Sequence, residues 1–567
     1  MGMCLIMLAA ITATVTASAP QAAFQSLLQS GRSLPPPPAI QSAHTKLLWS
    51  AMPRPRSPAQ LCLRAKADVK SSERQTDGIL DGVLLYNSMS RDKELFVPAN
   101  GNKVKLYTCG PTIYDFAHIG NFRAFLMYDV VKRWLTYCGY DVDHICNLTD
   151  VDDKIIQRMQ RDGVSLKDLT NKFADFFMED LAKLNILPAR AYPRATEHID
   201  DMVEMISGLV EKGNAYEQAG SYYFKVDSFP DYGKLAKLDF DNMQDGAGEG
   251  GGITDSEAIE KANSRDFALW KAYKPDDGEV FWETKIGKGR PGWHIECSAM
   301  CRRFLGDSID IHGGGVDLKF PHHENEIAQS EAYCGCEMCK FWVHNGFVNI
   351  NNEKMSKSLG NFLTVRDLLK TPLQARAFRY FVVSSQYRQA LNFSPEALAG
   401  ASKTLKRLDK WRDRLTAIAN DGGDADGEGV SSLASKCVSD FEAGMKDDMN
   451  TPRACASLFT FVKATEKMLN NDKMGKEGAE AALETLAKLD RVLGVYYEVP
   501  GMEEEAKSEE GAGSVVIPDD LAALLEERLQ AKSDKDWGRA DEIRAEVEAR
   551  GFVIKDVKGG ASELIPK

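Results

Sequence analysis

Residues 105–147 read KLYTCGPTIYDFAHIGNFRAFLMYDVVKRWLTYCGYDVDHICN, and this stretch decides the fold. Lys105–Cys109 has strand character and runs into Gly110-Pro111, a turn signal. From Phe122 to Tyr137, apolar Phe125, Leu126, Val130, Val131 and Trp134 recur at helical spacing. Asp143–Asn147 is a second strand candidate. Strand, helix and strand in that order predict an α/β fold, a parallel sheet with helices on its faces.

Outward from this unit, helices are expected over Ser165–Leu184 and His198–Lys212. Residues 213–290 change character, with a short strand at Tyr222–Val226 and a glycine-rich loop at Gly246–Gly252. They read as an insertion into the α/β domain. Strand and helix signals resume at Ser308–Ile311 and His323–Tyr333. After Gln386 the pattern is helical: Leu398–Ile418, Ser435–Gly444, Thr451–Leu469 and Glu480–Val495. Asp421–Gly429 and Glu503–Gly513 are polar linkers, and Asp519–Arg550 is a charged helical segment with a break near Ser533–Asp534.

A chain of 567 residues exceeds one ordinary compact domain, and its 43% hydrophobic and 27% charged content are those of a globular protein. Nothing reaches 18 consecutive apolar residues, so no membrane span is expected in the mature form. Net charge is −13, yet residues 1–67 lack acid and carry Arg32, Lys46, Arg54, Arg56, Arg64 and Lys66, leaving −19 for the remainder. An acidic body gives no support to non-specific nucleic-acid binding, though RNA can dock on a local basic surface. The first 75 residues hold an apolar run, Cys4–Val15, then Ala17-Ser18-Ala19-Pro20 and Pro35–Pro38. They resemble an organelle presequence, a signal peptide followed by a transit peptide. The alternative is a disordered extension.

Twelve cysteines without regular spacing suggest reduced thiols and metal ligands rather than a disulfide framework. Cys138, Cys146, Cys437 and Cys455 read as small buried hydrophobes. The densest signal lies between Gly289 and Glu326, which holds four of the nine histidines. His323-Glu324 does not open an HExxH motif, because Ile327 stands where the second histidine belongs. His322 and Glu326, at i and i+4, share a helix face. With Cys297 and Cys109 they compose a Cys₂–His–Glu set of types that zinc accepts. These ligands are dispersed, and spacing alone does not establish the site. Cys334, Cys336 and Cys339, with His344 nearby, also have metal-like spacing; a reduced cluster prone to oxidation is the preferred reading.

Lys354-Met355-Ser356-Lys357-Ser358 is a short cationic loop able to close on a polyphosphate, or else a solvated basic turn. His118 and Asn121 stand just before the predicted helix, where backbone N–H groups suit an anionic phosphate. Gly313–Gly315 permits close backbone approach to a nucleotide, or forms a turn.

Cys109-Gly-Pro-Thr112, His118-Ile-Gly-Asn121, Gly289–Met300, Pro321–Glu326 and Lys354–Ser358 together resemble the cysteinyl-tRNA synthetases, from about residue 81 to 555. The resemblance implies a class I, Rossmann-type catalytic domain in two halves, 81–200 and 291–395, split by a connective insertion over 201–290. It further implies a DALR-type helical bundle over 396–500, a linker over 501–516 and an anticodon-binding module over 517–567. The motif Asp447–Ala454 matches the bundle's start, and Asp536–Arg544 the last module. Asn121 replaces the final histidine of the HIGH-type signature, and Gly559–Lys567 lacks the family's usual ending.

By that resemblance, His118 and Asn121 with Lys354 and Lys357 are catalytic, and Gly313, Gly315, Asp317 and Lys357 hold the nucleotide. Thr149 and Trp293 line the cysteine pocket, and Cys109, Cys297, His322 and Glu326 bind one zinc that takes the substrate sulfur. The implied reaction is ATP-dependent ligation of L-cysteine to tRNA-Cys through cysteinyl-adenylate, with Mg²⁺ accompanying ATP, in a monomer delivered to the plastid in preference to mitochondria or both. Two other readings are a cysteine:amino-sugar ligase of the mycothiol-pathway type and a non-catalytic tRNA-binding protein.

Overall fold

A computed structural model describes residues 79–237, 261–355, 361–421, 429–502, 519–534, 536–550, 552–556 and 562–566. The expected presequence, the Gly246–Gly252 loop, the Glu503–Gly513 linker and the interior of the first linker lie outside the described residues.

A hairpin, β1 (Leu84–Asn87) with β2 (Asp92–Leu95), precedes β3 (Lys103–Thr108), α1 (Ile119–Tyr137) and β4 (Asp141–Cys146). In α1, Phe122, Phe125, Leu126, Val130 and Trp134 are buried, the stripe that the periodicity predicts. Two further helices follow, α2 (Asp153–Asp162) and α3 (Leu166–Lys183), the latter capped by the Ser165 hydroxyl, and then α4 (Ile199–Glu211).

The insertion is richer than its sequence suggests. Instead of one short strand it holds β5 (Ala215–Gln218), β6 (Ser221–Phe224), β7 (Phe267–Ala272), β8 (Trp282–Thr284) and β9 (Gly287–Pro291), an antiparallel sheet in the order β5-β6-β7-β9-β8. Strands of three to six residues show little alternation, and Gly-Lys-Gly-Arg-Pro in β9 shows none. Cross-strand pairing fixes such segments, not local preference.

Beyond it come α5 (Trp293–Leu305), β10 (Ile309–Gly315), α6 (Glu324–Cys334) and β11 (Cys339–Asn345). The central sheet has the order β11-β10-β3-β4, and every pair is parallel. All seven residues of β10 are buried, as expected of an inner parallel strand covered on both faces.

A small sheet of β12 (Val348–Ile350), β13 (Glu353–Lys354) and β14 (Leu391–Phe393) packs around α7 (Pro372–Val383). The helical region then runs through α8 (Pro395–Asp421), α9 (Val430–Lys446), α10 (Thr451–Asn470) and α11 (Lys476–Leu493). Its interior includes Leu405, Trp411, Phe441, Val462 and Leu489, and the Trp411 indole donates to Thr465 Oγ1 at 3.0 Å. One buried guanidinium ties this region to α1. Arg379 pairs with Asp129 at 2.5 Å and donates to the carbonyls of Leu493 and Leu184, both at 2.9 Å.

The last module comprises α12 (Asp519–Ser533), α13 (Trp537–Ala549) and an antiparallel hairpin of β15 (Phe552–Asp556) with β16 (Ser562–Pro566). The helix break falls where Ser533–Asp534 places it, and Asp536 caps α13. The hairpin has no counterpart among the elements that the sequence predicts. Leu521, Ile543, Val547 and Ile554 form a separate small core. Among the described residues no helix is long and apolar enough to cross a membrane.

Candidate active site and metal centre

The chain leaves β3 toward β4 on one side of the central sheet and leaves β10 toward β11 on the other. Right-handed crossovers of opposite direction lie on opposite faces, and the crevice between them opens at the carboxyl ends of β3 and β10. Cys109 is the first residue beyond β3, and Gly313–Gly315 are the last three of β10. A Cβ on Gly110 would stand 1.6 Å from the Asn147 carbonyl oxygen, so only glycine lets this turn press against the end of β4.

Four predicted ligands converge on this crevice. Cys109 follows β3, Cys297 lies in the second turn of α5, and His322 and Glu326 flank the start of α6. Their donor atoms all lie within 4.8 Å of one another, and all four residues are buried. The two sulfurs are 3.8 Å apart, and His322 Nε2 is 3.1 Å from Glu326 Oε1. Burial pushes the Cys109 thiol well above its ordinary value and holds the His322 ring neutral. Two sulfurs, an imidazole lone pair and a carboxylate crowded this closely favour a borderline-soft divalent ion; the donor chemistry fits zinc.

Sequence alone does not single out the surrounding imidazoles. His312 Nε2 lies 2.9 Å from Glu326 Oε2, and His294 Nδ1 lies 2.9 Å from His322 Nδ1. His323 Nε2 is 3.4 Å from Cys109 Sγ, while its Nδ1 meets His344 Nε2 at 2.9 Å, and His344 Nδ1 meets the Ser88 hydroxyl at 2.8 Å. Cys109, His312, His323 and Glu326 therefore make a second group of metal-binding geometry that shares two members with the first. In the quartet with two sulfurs, His312 and His294 lie outside the ligand set, each within hydrogen-bond distance of one of its members. The crowding of histidines is the signal that the sequence offers, but it does not apportion roles. His344 is committed to His323 and Ser88 rather than to Cys334, Cys336 and Cys339.

Trp293, the first residue of α5, stacks on His322 with ring centroids 4.2 Å apart. Thr149 is buried and donates its hydroxyl to Glu296 Oε2 at 2.8 Å. Burial raises the Glu296 carboxyl well above its ordinary value, and its other oxygen has no hydrogen-bond partner among the described residues. Glu296 thus adjoins the predicted cysteine pocket; it lies within the Gly289–Met300 stretch, but the sequence reading assigns it no role.

At the other end of the crevice His118 caps α1. Its Nδ1 accepts the Asn121 N–H at 3.1 Å, and Asn121 Oδ1 accepts the His118 N–H at 3.1 Å. An Nδ1 that accepts carries no proton, so the neutral ring is protonated on Nε2. Ile119 donates to the Leu363 carbonyl at 3.0 Å, the His118 ring stands edge-on to Phe362, and the Met355 methyl approaches Gly120. The segment following the cationic loop is therefore fastened to the His118 turn, and Met355 approaches the same turn. Lys354 belongs to β13, and Lys357 lies outside the described residues. Gly313 and Gly315 end β10, and the Asp317 carboxylate folds back over Gly315, where a Cβ would be 2.3 Å from its oxygen.

Residues 95–403 match the model of the class I (C) tRNA synthetase catalytic domain, 440–498 the DALR domain, and 515–561 the cysteinyl-tRNA ligase anticodon binding domain. A cysteine–tRNA ligase of Lysinibacillus sphaericus is 42% identical over 482 residues, 84% of this chain and 98% of the relative. The chain belongs to the cysteinyl-tRNA synthetase family. The cysteine–tRNA ligase of Chlamydia pneumoniae is likewise 42% identical, over 85% of this synthetase and 98% of its own length. Among solved structures, methionyl-tRNA synthetase of Mycobacterium tuberculosis shares the fold at a TM-score of 0.50 and 16% identity, covering 70% of the synthetase and 90% of that chain.

Proposed function

We propose that this protein ligates L-cysteine to tRNA-Cys through cysteinyl-adenylate, releasing diphosphate and then AMP. The observation that carries the reading is the meeting of Cys109, Cys297, His322 and Glu326 at the sheet's switch point, one end of a crevice whose other end is the His118 turn. Zinc held by those four residues would supply a Lewis acid that takes the substrate thiolate. Trp293 and the Thr149–Glu296 pair wall the cysteine pocket, and His312 and His294 hold the ligands in orientation.

The preference for cysteine follows from the donor set. Size differences of a methylene discriminate by only about 10–200-fold, whereas a serine hydroxyl is a poor ligand where a thiolate is a good one. Mg²⁺·ATP lies along the crevice, with adenosine against Gly313, Gly315 and Asp317. His118 donates from Nε2 to a phosphate oxygen at the amino end of α1, beside Asn121. Lys354 and Lys357, on the cationic loop whose following segment is bonded to that turn, neutralise the charge that develops as the cysteine carboxylate attacks the α-phosphorus. The terminal ribose hydroxyl of the tRNA then attacks the activated carbonyl.

The match of residues 515–561 to an anticodon-binding model favours tRNA over an amino sugar as acceptor. Cysteine-dependent ATP–pyrophosphate exchange followed by charging of tRNA-Cys tests the reading, and no exchange from folded, zinc-loaded protein would overturn it. We further assign residues 1–75 to organelle delivery, plastid first, because the acid-free, basic stretch 1–67 precedes an acidic body. A fluorescent fusion of that segment localised to the cytosol would refute this.

A further inference from the structure

Two cysteines that the ligation does not use stand side by side at the far end of α6. Cys334 is the last residue of that helix. Gly335 follows in the left-handed region (φ 74°, ψ 23°), its N–H donating to the Glu331 carbonyl at 2.8 Å, and Cys336 comes next. This turn brings the two sulfurs to 2.8 Å. The Cys336 N–H donates to Cys334 Sγ at 3.2 Å, and the Cys334 thiol donates to the Cys336 carbonyl, also at 3.2 Å.

The turn is braced from outside, because the Glu331 carboxylate pairs with Lys234 at 2.5 Å and accepts the Met338 N–H at 3.3 Å. Cys334 and Cys336 are only partly buried, whereas the other eight described cysteines are buried. A small crevice lined in part by Cys301, Arg302, Ser330 and Met338 reaches Cys334. Cys339, the third cysteine of the cluster, is directed elsewhere: it is buried and donates to the Phe341 carbonyl at 3.3 Å.

We propose that Cys334 and Cys336 are a reversible dithiol–disulfide site, oxidised by a low-molecular-weight disulfide such as glutathione disulfide. The sulfurs need move less than 1 Å to reach a bond of about 2.05 Å. A loop this short gains little from closure, so the bridge is a labile one that reduction readily opens, not a structural staple. Burial, reinforced by the hydrogen bond with Cys336, holds the Cys334 thiol above its ordinary value.

One sulfur of the pair attacks the oxidant's S–S bond, forming a mixed disulfide and expelling one thiolate. The other sulfur then attacks that cysteine's sulfur and expels the second. The oxidant accepts two electrons, the cysteine pair loses them, and the two cysteine protons end on the two released thiols. The bridge lies two helical turns beyond Glu326 and leaves the zinc ligands untouched.

The test uses the full-length, zinc-loaded protein equilibrated in buffers of rising glutathione disulfide to glutathione ratio, with remaining thiols alkylated and the 320–340 peptide weighed. The expected result is loss of two hydrogens across Cys334 and Cys336, reversed by dithiothreitol, with zinc content unchanged. Cys334→Ser and Cys336→Ser should each abolish that loss while retaining zinc and exchange activity. A peptide that stays fully alkylated at the oxidising end overturns the proposal. So does a bridge to Cys301 or Cys339, a second metal ion bound through this pair, or oxidation that appears only as zinc is released.

Discussion

Cys297 and Cys301 sit one turn apart on α5, both buried, yet only Cys297 has Cys109, His322 and Glu326 around it. Cys297→Ser should therefore lose zinc and depress cysteine-dependent exchange by more than the roughly 10–100-fold that an outer-shell substitution costs. Cys301→Ser should keep both. Metal analysis beside exchange kinetics reads the difference, and full zinc with normal kinetics in the first variant would refute the ligand assignment. The adjacent histidines separate in the same way. His322→Asn should abolish metal binding, while His323→Asn should retain zinc with affinity weakened about 10–100-fold, as measured by competition with a chromophoric chelator. The reverse order would make the Cys109–His312–His323–Glu326 group the true site. Away from the metal, burial lowers His144 to about 3, with the Thr108 hydroxyl 2.9 Å from its Nε2. In the unfolded chain this ring titrates near 6.5. The folded value is the lower, so the unfolded state binds more protons between the two, and stability is lost as pH falls from about 6.5 toward 3. His144→Gln should flatten the decline of Tm over that window, and an unchanged slope would assign the acid sensitivity to other groups.

Elements with strong periodicity are legible from residue order alone. Phe122, Phe125, Leu126, Val130 and Trp134 mark α1, and the hydrogen bonds between His118 and Asn121 explain why it begins three residues earlier than its apolar stripe. The insertion sheet is not legible, since strands such as Gly287–Pro291 have no pattern of their own and exist through their neighbours. The four metal ligands are legible as residue types and a helical pair. The i, i+4 spacing already selects His322, whereas only the fold shows that His323 also reaches Cys109 and shares a second group with it. Invisible too is the joint between α1 and the helical region. There Arg379, fully buried, answers Asp129 on α1 and two carbonyls at the ends of α3 and α11. Arg133 Nε also pairs with Asp129, at 2.8 Å, so removing Arg379 still leaves this carboxylate one cationic partner. Arg379→Met should therefore destabilise the protein by less than the roughly 3–5 kcal/mol of a fully unpaired buried charge, as read in urea melts. Asp129→Asn made together with it should recover part of the loss, and strictly additive effects would show that the pair does not act as a unit.

At the scale of the whole molecule, chemistry and tRNA reading occupy separate cores. The crevice is built from the central sheet, α1, α5 and α6. The module beyond residue 518 has its own small core of Leu521, Ile543, Val547 and Ile554, and Trp537 at its surface is 60% exposed. An indole that is not consumed by packing is available to stack on a base, an interaction worth about 1–3 kcal/mol. Deleting residues 503–567 should thus leave zinc content and cysteine-dependent pyrophosphate exchange near those of the full chain, because no ligand or crevice residue named above is removed. Charging of tRNA-Cys should fall by at least about tenfold in kcat/KM, the equivalent of about 1.4 kcal/mol. Trp537→Ala in the intact chain should reproduce part of that fall without touching exchange. If the deletion abolished exchange as well, the two ends of the molecule would be coupled through the helical region, and the Arg379–Asp129 joint would be the first place to look for the connection.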